Sequence, residues 1–154
     1  MGQTDYDTDF YAWTQAQAAA LRAKDWQAFD LANLAEEIES LGKRDRRTLE
    51  SSLKILLLHL LKWTYQSRER RRRGRSWRSS IANARDAIEH VLRDSPSLRR
   101  ALPEALTWAY PRARRQAHDQ TGLPLSTFPD ACPWTLEQLE DLDFLPEGVE
   151  DDTP

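Results

Sequence analysis

Apolar side chains recur along most of the chain at the three- and four-residue steps of an α-helix. Asp7 or Thr8 can cap a first helix, in which Phe10, Trp13, Gln17, Ala20 and Leu21 share a face. After a break near Asp25, residues 30–41 predict a second helix with Leu31, Leu34, Ile38 and Leu41 on one side. Gly42 stands where a helix C-cap belongs. Residues 44–66 predict the central helix. Leu49, Leu53, Leu56, Leu60 and Trp63 make its stripe, and Leu57, Leu58 and Leu61 widen it over much of the circumference, as expected of a helix with neighbours on several sides.

Residues 67–75 then read as a charged, mobile connector, with Gly74 freeing the backbone. A fourth helix, capped near Ser76, carries Trp77, Ile81, Ala84, Ile88, Val91 and Leu92 on its buried face. Ser95 and Pro96 end it. Residues 97–120 are helical again, with Leu98, Leu102, Ala105, Ala109 and Ala113 inward, and Pro103 and Pro111 expected to divide or kink the segment. Beyond Gly122 regular patterning fails, except for a short helix at 135–142 whose Thr135 and Gln138 have capping-box spacing. Phe128, Trp134, Leu136, Phe144 and Leu145 make this tail too apolar to float free, so it should lie across the other helices. The expected architecture is all-α: a single domain over residues 1–154, a helical bundle of about five helices with a largely irregular C-terminal tail packed on it. The ordered core should cover 7–145, with 146–154 loose.

The chain's 154 residues suffice for one core without disulfides or metal. Net charge is only −3, but its distribution is uneven. Residues 1–42 hold two basic and eight acidic side chains, residues 43–115 twenty and seven, and residues 116–154 none and ten. Either the acidic ends fold back on the basic middle, or the middle attracts a polyanion. Compactness favours the first. The lone cysteine, Cys132, excludes an intrachain disulfide and fits a reducing cytoplasm. The longest apolar run, residues 55–61, is broken by His59 and too short for a bilayer, so no membrane partner is expected. The acidic N-terminal segment reads neither as a secretory signal nor as a myristoylation site.

Three constellations carry candidate chemistry. Glu36, Glu37 and Glu39 crowd the second helix and could act as metal ligands or an acid–base pair, although pairing with Arg46 and Arg47 explains them more simply. His59 lies amid leucines, where its ring nitrogens need a carboxylate, a carbonyl or water, or else serve a metal or a proton transfer. Glu37, Glu39 and His59 form a weak metal candidate. No Glu-x-x-His pair, His-Glu-x-x-His motif, cysteine zinc set, phosphate-binding glycine loop or Gly-x-Ser-x-Gly elbow is present, and no cofactor is implied. Finally, Arg68, Arg70, Arg71, Arg72, Arg73, Arg75 and Arg78 could contact several phosphates with Trp77 stacking on a base, against the plainer reading of a solvated connector and a core tryptophan. His90 and His118 are expected to face solvent. Trp13, Trp63 and Trp77 read as core, whereas Trp26, Trp108 and Trp134 lie off the best stripes and suit tail docking or a partner interface.

Several segments occur in a characteristic order: Asp-Phe-Tyr-Ala-Trp (9–13), Leu-Ala-Glu-Glu-Ile-Glu-Ser-Leu-Gly (34–42), Leu-Leu-Leu-His-Leu-Leu-Lys-Trp (56–63), Arg-Ser-Trp-Arg (75–78), Asp-Ser-Pro-Ser-Leu (94–98), Thr-Gly-Leu-Pro (121–124) and Phe-Pro-Asp-Ala-Cys-Pro-Trp (128–134). Together they resemble the bacterial domain-of-unknown-function family 29 over residues 5–147. The resemblance implies an all-helical bundle of bacterial source, with no established activity and no catalytic residues to carry over. The chain departs from the family in its longer, arginine-rich segment before Ser76 and in Pro111. The expected function is a protein- or ligand-binding module, with non-specific nucleic-acid binding through the arginines and metal-assisted catalysis through Glu and His as alternatives.

Overall fold

A computed structural model describes residues 6–150. They are all-α, with five α-helices: α1 (Phe10–Ala23), α2 (Leu31–Tyr65), α3 (Ser67–Asp94), α4 (Leu102–Thr121) and α5 (Leu136–Glu140). Short 3₁₀ turns lie at Trp26–Ala28, Pro96–Ala101 and Leu125–Thr127. The chain forms two compact units, residues 1–44 and 45–154, with α2 contributing to both.

In the first unit α1 and the start of α2 make a hairpin. Asp9 caps α1 by accepting the Ala12 N–H at 3.0 Å, one or two residues later than Asp7 or Thr8. The hairpin is latched by polar groups that the apolar stripe conceals. Trp13 Nε1 donates to Asp30 at 3.1 Å, and the buried Gln17 accepts the Asp30 N–H at 2.9 Å while donating to the Ala28 carbonyl. Asn33 Nδ2 donates to the same Asp30 carboxylate at 2.8 Å, and this bond, with that from Trp13, holds the carboxyl below its ordinary pKa against the opposing effect of desolvation.

Two expected helix boundaries are absent. The helices predicted on either side of Gly42 are one, because α2 runs unbroken for 35 residues. No proline lies in that span, and a single glycine costs only about 1 kcal/mol in a helix interior. A Cβ placed on Gly42 meets nothing within 4 Å. Gly42→Ala is therefore expected to stabilise the protein by about 0.5–1 kcal/mol, read as a raised urea midpoint. A lowered midpoint would mean that α2 is interrupted there in solution.

The second correction concerns residues 67–75. They are the first turns of α3, not a mobile connector, and the chain reverses at the single residue Gln66. Arginine has good helix propensity, and Glu69 sits within reach of Arg72 (3.6 Å) and Arg73 (3.2 Å), which offsets part of the like-charge repulsion. Gly74 lies close to the Trp63 indole: a Cβ there would come within 3.3 Å of it, so the ring would have to give by a few tenths of an ångström.

In the second unit the core is Leu49, Leu53, Leu56, Leu57, Leu60 and Leu61 of α2, packed with Ile81, Ala84, Ile88, Val91 and Leu92 of α3 and the alanine face of α4. The 97–120 segment is divided at Pro103 as expected: the 3₁₀ turn Pro96–Ala101 gives way to α4, whose first turn holds the proline, where its missing N–H costs nothing. Pro111 does not divide it, and lies inside α4 on its exposed side. The tail packs as expected. Phe128, Trp134 and Leu139 are buried, and α5 begins with the expected Thr135–Gln138 capping box. Trp108 is half-buried against the core with Arg112 stacked on it at 4.3 Å, and Trp134 is buried within the packed tail and unavailable to a partner.

The acidic C-terminal segment does fold back on basic residues. Arg114 pairs with Asp130 at 2.8 Å and Arg99 with Glu140 at 3.0 Å. Residues 146–150, expected to be loose, are held as well: Trp63 Nε1 donates to the Pro146 carbonyl, the Val149 N–H to the Thr64 carbonyl, and Glu150 binds Arg70 and Arg71. Residues 151–154, also expected to be loose, lie outside the described residues.

Candidate functional site

The glutamates belong to the first unit and His59 to the second. Among the described residues no three His, Cys, Asp or Glu side chains group so as to hold a metal ion. Arg46 pairs with Glu50 and Glu104, each at 3.2 Å. Glu36 and Glu39 are exposed. Glu37 accepts the Tyr6 hydroxyl, and that bond is the main reason the phenol is pushed up to about 12.

His59 is half-buried, and its Nδ1–H donates to the Ile55 carbonyl at 2.8 Å, one turn back on α2. Burial holds its pKa below the ordinary value, opposed by that hydrogen bond and reinforced by Lys62. A neutral imidazole bonded to its own helix has the geometry of a satisfied core-edge histidine. His90 is exposed beside Asp94 (3.2 Å), as expected. His118 is not free in solvent: half-buried, it donates through Nδ1–H to the Leu123 carbonyl at 2.6 Å and closes the turn after α4. The half-buried Cys132 thiol is pushed up by burial, the wrong direction for a nucleophile.

Two surfaces stand out among the described residues. The first is an apolar groove of about 350 Å³ in the hairpin of residues 1–44, lined by Phe10, Trp13, Leu21, Leu34, Ile38 and Leu41 among others, with Glu37 and Arg44 at its polar margin. Phe10, Leu21, Ile38 and Leu41 are 49, 52, 66 and 56 % exposed, although all four fall on stripes that predict burial. Tyr11, Trp26 and Leu31 add to the exposed apolar surface of the same unit. The second is the outer face of α3, where Arg68, Arg71, Arg72, Arg73, Arg75 and Arg78 are exposed and Arg70 is half-buried. Arg70 and Arg78 stack on Trp63 at 6.0 and 5.2 Å. Trp77 is buried and unavailable for stacking on a base.

The model of the domain of unknown function DUF29 matches residues 6–145. The chain belongs to the DUF29 family. Both apolar hairpin segments, residues 9–13 and 34–42, lie inside the DUF29 match, as do all seven arginines of the α3 face. Residues 146–150, which lie against that face, fall outside it. No curated protein and no solved structure matches the chain significantly. DUF29 membership carries no activity, so the function rests on the chain's own surfaces. Among the described residues no helix is long and apolar enough to cross a membrane.

One residue of consequence escaped the sequence reading. Arg85 is buried in α3, with Nε donating to the Leu139 carbonyl at 2.9 Å and Nη2 to the Gln138 carbonyl at 3.3 Å. Its position was the available signal: with Ile81, Ala84 and Ile88 it completes a helical set on the inward face.

Proposed function

We propose that this protein is a protein-binding module whose hairpin, residues 1–44, receives an amphipathic, basic helix of a partner protein in the groove between α1 and α2. The exposed stripe of Phe10, Leu21, Ile38 and Leu41 carries the reading. These side chains, on two helices, line one groove that can take a third, as when helices dock in grooves through anchors spaced i, i+3/i+4, i+7. The 14 residues of α1 give the groove a length of about 21 Å, enough for roughly four turns of a bound helix. Charge selects the occupant. Residues 1–44 hold eight acidic and four basic side chains, a net negative charge that attracts a basic helix and opposes a second, equally acidic hairpin. The family resemblance and the single cysteine support a bacterial cytoplasmic setting.

Two model peptides test this, one leucine–lysine and one leucine–glutamate amphipathic helix, titrated against the full chain by calorimetry. The basic peptide is expected to bind with a salt-sensitive affinity, and Ile38→Asp or Leu41→Asp to weaken it at least about tenfold without loss of helicity, since both side chains are exposed. Equal binding of both peptides, or undiminished binding by the variants, would reject the reading. Sedimentation supplies the other arm: a dimer that Ile38→Asp dissociates would assign the groove to a second copy and overturn the partner helix.

A further inference from the structure

We propose that the exposed arginines of α3 bind the sugar–phosphate backbone of a nucleic acid, and that residues 146–150 of the same chain occupy part of that surface as an intramolecular competitor. Arg68, Arg71, Arg75 and Arg78 follow one another at steps of three, four and three, so they form one ridge along the helix, and all four are exposed. At 1.5 Å per residue the ridge is about 15 Å long. Phosphates of one duplex strand follow at about 3.4 Å along the axis, so the ridge matches about four of them.

Every cation between residues 68 and 78 is arginine, whose planar fork grips phosphate through two parallel hydrogen bonds. A lipid surface is a poorer match. The apolar side of α3, with Trp77, Ile81, Ala84 and Ile88, is buried in the protein and leaves nothing to insert among acyl chains. The buried Trp77 also leaves the ridge without a base-stacking platform, so binding is through the backbone and independent of base sequence.

The competitor is the chain's own C-terminal segment. The Glu150 carboxylate bridges Arg70 and Arg71, the latter at 3.1 Å, as a phosphate would. Its approach is set by backbone contacts: the Val149 N–H donates to the Thr64 carbonyl at 2.7 Å, and the Pro146 carbonyl accepts from Trp63 Nε1 at 3.1 Å. Arg71 and Glu150 are largely exposed, and such pairs contribute little each, so a polyanion engaging several arginines at once can displace the segment.

Fluorescence anisotropy with a short labelled DNA, as single strand and as duplex, at low and at physiological salt, decides the matter in the full chain. The wild type is expected to bind both DNA forms weakly and with strong salt dependence. Glu150→Gln should tighten binding about three- to tenfold, and Arg68→Ala/Arg75→Ala/Arg78→Ala should abolish the gain and flatten the salt slope. Glu147→Gln is the control, because it changes net charge equally on the exposed Glu147 side chain. Equal gains from the two glutamine variants would overturn the competitor. Retained DNA binding by the triple arginine variant would overturn the ridge, as would a preference for anionic phosphatidylserine vesicles over DNA.

Discussion

Phe128→Ala is expected to destabilise the protein by about 3–5 kcal/mol, the range for deleting a large aromatic side chain from a packed core. Phe128 is only 1 % exposed, and its ring meets Tyr65 edge-on at a centroid distance of 5.5 Å. That geometry adds about 0.5–1.5 kcal/mol to the burial of its area. The side chain also anchors the segment in which the tail turns back over α4. Around it Arg114 Nε donates to the Phe128 carbonyl at 3.1 Å, and the Tyr110 hydroxyl donates to the Pro129 carbonyl at 2.6 Å. Burial raises the Tyr110 pKa, which keeps that hydroxyl a donor throughout the working range. Without the ring these contacts hold a segment that no longer has a reason to lie there. Urea denaturation measures the effect, and Phe128→Leu should recover more than half of it. A loss below about 1 kcal/mol would show that the tail is not part of the cooperative unit.

What the sequence discloses and what it hides follow from the same physics. Period and apolarity locate the helices of the core, because Leu49, Leu53, Leu56 and Leu60 have to face inward together. The buried tail was legible for the same reason, through Phe128 and Trp134. Helix ends were less so. Gly42 and the arginine run both weaken a helix locally, yet neither outweighs the good helix formers and the i,i+3/i+4 pairing around it. The hairpin stripe shows the opposite difficulty. Leu31, Ile38 and Leu41 have the spacing of a buried face but remain exposed, and periodicity cannot distinguish a face covered within the chain from one kept for a partner. Contacts between distant residues, such as Glu150 with Arg70, leave no local trace at all.

Arg85 belongs to that last class, and substituting it should have the second-largest effect on stability. It is 3 % exposed, and burial pushes the guanidinium pKa down while the Asp141 charge opposes the shift. Its burial is offset by two acceptors, the carbonyls of Gln138 and Leu139 in α5. These are orphan acceptors of a five-residue helix, too short to satisfy them itself. Arg85 thus serves as a C-terminal cap delivered from another helix, and it ties α5 to α3. Arg85→Met keeps most of the volume but no donor, so the buried Leu139 carbonyl and the part-buried Gln138 carbonyl lose charge-assisted bonds at a total cost of about 2–4 kcal/mol. Arg85→Lys places one ammonium where a fork spans two acceptors and should recover only part of this. Amide hydrogen exchange separates the cap from a general core effect. In Arg85→Met the α5 amides, such as Leu139 N–H to Thr135 O, should exchange far faster while α2 stays protected. A loss of stability under about 0.5 kcal/mol, or uniform exchange across α2 and α5, would remove the capping role.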